Sequence, residues 1–391
     1  MEPKIRFSSS NILYEEKTLS EISTINPKTN VPLEFEYVDL ESVSGTEMTN
    51  HRTEHKATAP SRAQRLAKKG DIFYQTVRPY QKNNYYFDMD DDNYVFSTGY
   101  AQIRPSIYGK YLFTLLQNDS FLKQVLDNCA GTSFPAINPS VLSRLSVRIC
   151  KDKQEQQAIA SYFTSLDSQI SASTSRLASL KQMKAASLQA MFPQEGETVP
   201  KIRFKGFKGE WKKVKADSIF KTFNEKNRPD LPVLSATQDR GMVTRESIGY
   251  NIFHDTSNEA TYKHILPGQF VIHLRSFQGG FAHSEIEGIA SPAYTIIDFK
   301  NKDLYHDYYW RYVFMSKEFI KRLELITYGI RDGRSISYDE FKEMSFLVPS
   351  KEEQIKIASY LKNLDRQISL QSQRLKKLKQ IKSACLDKMF V

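Results

Sequence analysis

The chain contains an internal repeat at an interval of 198 residues, and this repeat constrains the fold more than any other feature. Residues 153–192 and 351–390 align without a gap and share 22 identities over 40 positions. Chance would give roughly two or three, so one segment is a duplicate of the other. A second echo, Pro-Lys-Ile-Arg-Phe, begins at Pro3 and again at Pro200. The residues between each echo and the next repeat differ strongly, so the order is variable, repeated, variable, repeated.

Each repeated segment predicts a long helix. Apolar residues alternate at spacings of four and three, which is typical of a coiled-coil seam. Asp152 with Glu155, and Ser350 with Glu353, predict a capping box at each helix start. About 40 residues would span roughly 60 Å. Two related units pack most naturally about a pseudo-two-fold axis, which predicts that the helices run antiparallel. The predicted helix–helix contacts are Ile159, Phe163, Leu166, Ile170, Leu177, Leu180, Ile357, Leu361, Leu364, Ile368, Leu375 and Leu378.

The variable segments predict two globular domains that share one mixed fold. Each has a turn and strand, at 70–77 and 268–274, followed by an amphipathic helix, at 111–126 and 308–325. The predicted fold class is therefore α+β, with two mixed α/β domains joined by two long antiparallel α-helices. The predicted boundaries are 1–150 for the first domain, 151–192 for the first helix, 193–348 for the second domain and 349–391 for the second helix.

The charge distribution favours a polyanionic partner. The chain carries a net charge of +10, and residues 52–82 hold eight basic and two acidic residues within a first domain that is neutral overall. Arginine can contact guanine through two hydrogen bonds, and Lys and Arg neutralise phosphates. The candidate DNA contacts in the first domain are Arg62, Arg65, Lys68, Lys69, Arg78, Tyr80, Lys82 and Asn83. Those in the second domain are Arg275, Ser276, Phe277, Gln278, Gly279, Arg331, Arg334 and Ser335.

Motifs for catalysis, cofactors and metals are missing from the sequence. It has no GxxxxGK[ST] phosphate loop, no Rossmann glycine fingerprint, no HExxH and no Asn-Pro-Pro or Asp-Pro-Pro stretch of adenine methyltransferases. No apolar run reaches the ~18–20 residues of a membrane span. The three cysteines are far apart and predict reduced thiols in a cytoplasmic protein. We therefore predict no catalytic residue, no cofactor, no metal and no membrane contact for this chain.

Over essentially its whole length the chain resembles the specificity subunits of type I restriction-modification systems. The resemblance depends on Pro200–Phe207 with Trp211, on Glu353-Gln354 and its counterpart Glu155-Gln156, on Arg374-Leu375 with Leu378-Lys379, and on Asp332–Ile336. The first domain departs from the last motif, because Gly131–Ile137 stands in its place. It also lacks the Gly-Phe and Trp pattern near its start.

The resemblance implies a role for each part. Each target-recognition domain would read one half of a bipartite site in double-stranded DNA, and the helices would set a spacing of one to two DNA turns. Two methylation (M) subunits would dock on the chain and use S-adenosylmethionine to methylate adenine at N6. Restriction (R) subunits would add ATP- and Mg²⁺-dependent cleavage. The chain itself would be non-catalytic and would act in the bacterial or archaeal cytoplasm, at the nucleoid.

Two other readings stay open at this stage. A single-chain restriction or methylation enzyme would methylate DNA without partners. A coiled-coil scaffold that binds only proteins would show no preference for any DNA sequence.

Overall fold

The computed structural model describes residues 4–7, 14–131, 133–237, 240–248, 256–273, 280–324, 327–328 and 335–390. The chain divides into two compact units. The first unit comprises residues 1–174 and 373–391, and the second comprises residues 175–372. Each unit therefore combines one globular domain with part of both long helices.

The first unit begins with a mixed domain of short strands and short helices. Its strands are β1 Tyr14–Thr18, β2 Ser23–Ile25, β3 Glu34–Val38, β4 Val43–Ser44, β5 Glu47–Met48, β6 Arg52–His55, β7 Ala63–Leu66, β8 Ile72–Gln75, β9 Tyr85–Tyr86, β10 Tyr94–Ser97, β11 Tyr100–Pro105 and β12 Ser146–Cys150. Its helices are α1 Leu19–Ile22, α2 Gly109–Leu115, α3 Asp119–Asp127 and α4 Pro139–Leu142. The long helix α5, Lys153–Ala190, follows and continues into the second unit. Two four-stranded sheets have the orders β6-β3-β10-β7 and β2-β11-β8-β9, and β1 pairs with β12 just before α5.

The second unit shares the main sheet and the helices of the first. Its strands are β13 Lys212–Lys215, β14 Phe220–Phe223, β15 Leu234–Thr237, β16 Gly241–Thr244, β17 Lys263–Ile265, β18 Phe270–Ile272, β19 Phe281–His283, β20 Gly288–Ala290, β21 Thr295–Phe299, β22 Thr327–Tyr328, β23 Ser335–Ile336 and β24 Ser345–Val348. Its short helices are α6 Ala216–Ile219, α7 Asp307–Met315, α8 Lys317–Glu324 and α9 Tyr338–Glu343, and the long helix α10 is Lys351–Met389. The main sheet has the order β14-β21-β18-β19, and β13 pairs with β24 just before α10. Among the described residues, the other strands of this unit form two-stranded sheets, such as β15-β16 and β17-β20.

One central strand in each domain organises the core. In β8, Ile72 and Tyr74 belong to the apolar cluster that includes the helices, whereas Phe73 packs in the cluster on the other face. In β18, Phe270 and Val271 divide between two clusters in the same alternating manner. A strand covered on both faces needs apolar residues at successive positions, which explains the unbroken apolar run in each sequence.

The turn before each central strand is also the same. Gly70 has a φ of 95° and Gly268 a φ of 87°, values that favour glycine. The Lys68 amide donates to the Asp71 carboxylate at 2.9 Å, and the Leu266 amide donates to the side-chain oxygen of Gln269 at 2.9 Å. The two domains thus share one fold despite little sequence identity, as the fold-class prediction stated.

The predicted domain helices are wrong in one respect, because each is broken in two. Asn118 separates α2 from α3, and its side chain accepts a hydrogen bond from the Ser120 amide at 2.6 Å. Ser316 separates α7 from α8, and its hydroxyl accepts from the Phe319 amide at 3.2 Å. A side chain that caps a new helix start favours an interruption at that point, although the apolar spacing continues across it.

Within the first unit, the start of α5 pairs antiparallel with the end of α10. The Tyr162 hydroxyl lies 3.4 Å from the Cys385 sulfur, and Lys382 forms an ion pair with Asp167 at 2.5 Å. The partner number falls as the α5 number rises, which defines the antiparallel direction.

Within the second unit, the end of α5 pairs with the start of α10 through equivalent contacts. Lys184 forms an ion pair with Asp365 at 2.5 Å, and the Ser187 hydroxyl lies 3.2 Å from the Tyr360 hydroxyl. Each contact corresponds to one in the first unit, shifted by 198 positions. The predicted antiparallel pairing is therefore present in both units.

The predicted seam positions are mostly covered. The buried ones are Ile159, Phe163, Leu166, Leu180, Ile357, Leu361, Leu364 and Leu378. The partly buried ones are Ile170, Leu177, Ile368 and Leu375. Ile159 and Phe163 belong to the same cluster as the domain residues Tyr111 and Leu112, so the start of α5 packs on its domain as well as on α10. Contacts between the two long helices therefore account for only part of the burial of these residues.

The helix starts confirm only part of the predicted capping boxes. The Ser350 hydroxyl accepts from the Glu353 amide at 3.4 Å, as the predicted box requires. The Asp152 carboxylate accepts from the Gln154 amide at 2.8 Å, as a cap should. The carboxylate of Glu155, however, accepts from the Phe7 amide at 3.1 Å. Glu353 is 2% exposed and accepts two hydrogen bonds from the Arg203 guanidinium, at 2.8 and 2.6 Å. Both glutamates therefore hold the Pro-Lys-Ile-Arg-Phe echo.

The same echo contacts the end of the other long helix. The Ile5 amide donates to the Lys388 carbonyl at 3.2 Å, and the Ile202 amide donates to the Ala190 carbonyl at 2.9 Å. These carbonyls lie in the last turn of each helix, where intrahelical donors run out. Each echo thus joins the start of one helix to the end of the other within its unit, which explains why the motif occurs twice.

A buried glutamine fixes each domain to its helix. Gln156 accepts from the Tyr108 amide at 3.4 Å and donates to the Cys150 carbonyl at 2.7 Å. Gln354 accepts from the His306 amide at 2.9 Å and donates to the Pro349 carbonyl at 3.1 Å. Tyr108 and His306 are the residues that precede α2 and α7. The glutamines therefore link the first turn of the long helix to the central helix of the domain.

Candidate nucleic-acid interface

The basic residues predicted in the first domain lie at opposite ends of β8. Lys68 and Lys69 form the turn that precedes the strand. Arg78 and the residues up to Asn83 follow its end. The Arg62 carbonyl accepts from the Thr98 amide at 2.8 Å, in the turn that joins β10 to β11. The carbonyl of Gly99, the next residue in that turn, accepts from the Thr76 amide at 2.9 Å. Arg62 therefore lies near the end of β8 that leads to Arg78.

Acidic residues surround the lysine end. Lys69 pairs with Asp90 at 2.5 Å, and Lys110 pairs with Asp88 at 2.6 Å. Lys69 and Asp90 are half or more exposed, so water competes strongly with this pair. The nearby carboxylates reduce the positive potential that a phosphate would meet here.

A buried carboxylate holds this turn in place. Asp71 is 1% exposed and forms an ion pair with Arg104 through two hydrogen bonds, both at 2.8 Å. It also accepts from the Gln102 side chain at 2.7 Å and from the Lys68 amide. The ion pair with Asp71 raises the pKa of Arg104. Asp71 therefore connects the lysine turn to β11.

The loop after β8 has an unusual backbone. Arg78 and Lys82 have φ values of 54° and 55°, and a short 3-10 turn, Pro79–Gln81, lies between them. Left-handed conformations are uncommon for residues other than glycine and cost of order 1 kcal/mol or more. Lys82 pairs with Asp119, and the Asn83 side chain accepts from the Gly45 amide at 2.9 Å. These two predicted contacts already have partners within the domain.

Arg78 lies against an aromatic ring that sequence reasoning missed. Its guanidinium carbon is 4.5 Å from the centre of the Phe134 ring. Phe134 is 61% exposed and Tyr80 is 51% exposed. Phe134 lies in the loop that replaces the family motif in the first domain. In the sequence, Phe134 lies between Ser133 and Pro135 and belongs to no strand or helix pattern. This position was the available signal that its ring could be exposed.

Arg65 lies within a strand rather than in a loop. It belongs to β7, opposite Phe96 of β10. Burial lowers the pKa of its guanidinium, but an arginine remains charged at neutral pH. Its side chain is half-buried, as is that of Arg78.

The candidate contacts of the second domain fall mainly outside the described residues. These are Arg275, Ser276, Phe277, Gln278, Gly279, Arg331 and Arg334. Ser335 begins β23, which pairs with β22. In the chain, the first five of these residues lie between β18 and β19. Before them, the His273 amide donates to the Gly280 carbonyl at 2.9 Å, and burial lowers the pKa of His273.

Metal and membrane features are absent from the described part of the chain. It contains no group of three His, Cys, Asp or Glu residues arranged to hold a metal ion. None of its helices combines the length and the apolar character needed to cross a membrane.

Two similar domains, each fixed to a pair of long helices by the same contacts but carrying different loops, define a two-domain recognition protein. The chain belongs to the family described as the type I restriction modification DNA specificity domain, which matches residues 11–182 and again 208–380. This membership confirms both the resemblance predicted from the repeat motifs and the class of function, DNA sequence specificity.

Individual relatives agree with this assignment. The chain is 34% identical over 139 residues to the type I restriction enzyme HindI specificity subunit of Haemophilus influenzae, a match that covers 34% of this chain and 30% of that protein. The chain therefore matches less than a third of the length of this relative.

Solved structures share the fold. The S subunit of a type I restriction-modification system from M. genitalium superposes with a TM-score of 0.65 at 16% identity, covering 100% of this chain and 99% of that one. A chain from a structural study of complex assembly and conformational transition of the type I R-M system gives a TM-score of 0.53 at 20% identity, covering 97% and 98%. At these identities the likeness concerns the fold.

Proposed function

We propose that this chain is the sequence-reading subunit of a type I restriction-modification complex. Each domain reads one half of a bipartite site in double-stranded DNA, and the paired helices set the distance between the halves. The observation that carries the proposal is the equivalence of the two units. Their helix pairs share contacts position by position, such as Asp167 with Lys382 and Asp365 with Lys184, whereas their loops differ.

Two equivalent units that carry different loops suit a protein that binds two copies of one partner and two different stretches of DNA. A partner that docks on the repeated parts meets the same surface twice, and this supports two copies of a methylation subunit. Different loops meet different bases, and this supports two dissimilar half-sites. A scaffold that binds only proteins would not need loops in which an arginine lies over an exposed aromatic ring.

The chemistry belongs to the partners in this proposal. The methylation subunits bring S-adenosylmethionine and modify adenine at N6, which requires the base to leave the duplex. The restriction subunits use ATP and Mg²⁺ and join through the complex. This chain is non-catalytic, binds none of these cofactors directly, and acts in the prokaryotic cytoplasm on chromosomal or invading DNA.

A binding selection tests the proposal. The chain is purified with its methylation subunits and mixed with random-sequence duplexes, and the retained DNA is sequenced. We expect two short specified stretches separated by a fixed unread spacer. Retention without sequence preference would contradict the proposal and favour a protein-binding scaffold. Methylation of DNA by the chain alone would favour a single-chain enzyme.

A further inference from the structure

The loop of Arg78 is anchored unusually firmly for a surface loop. The Arg78 amide donates to the Pro135 carbonyl at 2.8 Å, and the Ile137 amide donates to the Thr76 carbonyl at 3.0 Å. Val77 also forms an isolated antiparallel bridge with Ala136. The loop after β8 and the loop that contains Phe134 are therefore joined backbone to backbone. This anchoring can maintain the left-handed conformation of Arg78, which would otherwise relax.

The guanidinium of Arg78 differs from two neighbouring cations in its partners. Lys69 pairs with Asp90 and Lys82 pairs with Asp119. Among the described residues, Arg78 has no carboxylate partner, and its guanidinium lies over the Phe134 ring. Stacking on a ring occupies the face of a guanidinium and leaves its N–H groups, which lie in the plane at its edge, available as donors.

The exposure of Phe134 has no explanation in the packing of the domain. A phenylalanine that is 61% exposed leaves much apolar surface in water, which costs free energy that burial would recover. Its observed effect is to support Arg78 from one side. Tyr80, which is 51% exposed, is a second exposed aromatic residue and lies in the loop after β8 that contains Arg78.

We propose that Arg78, whose guanidinium lies over the Phe134 ring, reads a guanine in the half-site of the first domain. The proposal rests on the proposed function. A guanidinium that lies over a ring and keeps its N–H edge free matches the two acceptors, N7 and O6, that guanine presents in the major groove. Phe134 acts as a positioning residue, because it fixes the plane of the guanidinium and need not touch a base itself. Lys68 and Lys69, at the other end of β8 among carboxylates, contribute at most through phosphates.

Substitution of Arg78 tests the proposal. Asn tolerates a left-handed backbone better than most residues, so Arg78→Asn removes the guanidinium without adding backbone strain. The charge control is Lys123→Asn, which removes one exposed positive charge from α3 of the same domain, at a residue outside the candidate DNA contacts. Both variants are purified with the methylation subunits and put through the random-duplex selection.

We expect Arg78→Asn to lower the preference for guanine at one position of one half-site by roughly five- to a hundred-fold. The other half-site and the spacer should not change. Lys123→Asn should leave every base preference as in the wild type. Phe134→Leu should weaken the same guanine preference to a smaller degree, and hydrogen exchange of β8 checks that each variant is folded.

Three outcomes would overturn the inference. One is an unchanged base preference in folded Arg78→Asn. A second is an equal loss of binding on all sequences, which would make Arg78 a phosphate contact. The third is a loss at a position that is not guanine. A wild-type complex without any bipartite preference is a different failure, because it removes the proposed function itself.

Discussion

Asp71 is a buried carboxylate with four hydrogen bonds, and Asp71→Ala should destabilise the first domain strongly. Asp71 is 1% exposed and accepts two hydrogen bonds from Arg104, one from Gln102 and one from the Lys68 amide. Removal of one partner of a buried ion pair costs about 3–5 kcal/mol. Arg104 is 34% exposed and can recover some hydration, so the lower end, about 3 kcal/mol, is expected.

The assay must distinguish the two units, because both contain parts of the long helices. The chain has two tryptophans, Trp211 and Trp310, and both lie in the second unit. Their fluorescence during urea unfolding reports the second unit, while hydrogen exchange of peptides from β8 and β11 reports the first. Asp71→Ala should speed exchange in β8 and β11 by about a hundred-fold, since 1.4 kcal/mol corresponds to a factor of ten. The tryptophan transition should move much less.

The matched control is Asp90→Ala, which removes the exposed partner of Lys69. An exposed pair contributes little, so exchange in the same peptides should stay close to the wild type. The reasoning is refuted if Asp71→Ala and Asp90→Ala behave alike, because burial would then not decide the outcome.

Three further predictions concern the helices and the second unit. Lys184→Met and Lys382→Met each break a partly buried ion pair, so each should destabilise its own unit by about 1 kcal/mol; hydrogen exchange on each side measures this, and no change in either variant would contradict a stabilising role of the pairs. Burial lowers the pKa of His306, so the unfolded chain binds that proton more readily and the second unit should lose stability as the pH falls below about 6.5; His306→Gln should reduce this loss in tryptophan-monitored unfolding, and an identical pH profile would refute the assignment. Insertion of four residues after Thr174 in α5 should change the spacer between the half-sites and leave both half-sites intact, whereas an unchanged spacer in the binding selection would exclude the helices as a ruler.

The repeat made much of the fold predictable. Identities at a fixed offset specified two equivalent units, and the spacing of Leu364, Ile368 and Leu378 specified long paired helices. The turn at Gly70 and the strand after it could be predicted, because a positive φ favours glycine and a fully buried strand requires a run of apolar residues. The family and its class of function followed from the same motifs.

Features that depend on contacts between residues far apart in the sequence could not be predicted from the sequence. The breaks at Asn118 and Ser316 interrupt an apolar pattern that continues across them. Glu155 and Glu353 fit a capping box in sequence, but segments more than a hundred residues away occupy their carboxylates. The predicted DNA contacts stay predictions. For the first domain the structure shows which of them have internal partners, and seven of those in the second domain lie outside the described residues.

Replacement of one recognition domain tests the central claim most directly. Residues 14–150 are exchanged for the matching domain of a relative with a different target, and the methylated sites of cells that carry the whole system are mapped by sequencing. We predict that one half of the methylated motif changes, while the other half and the spacer length remain. A motif that changes in both halves, or a motif without two separate halves, would contradict the account.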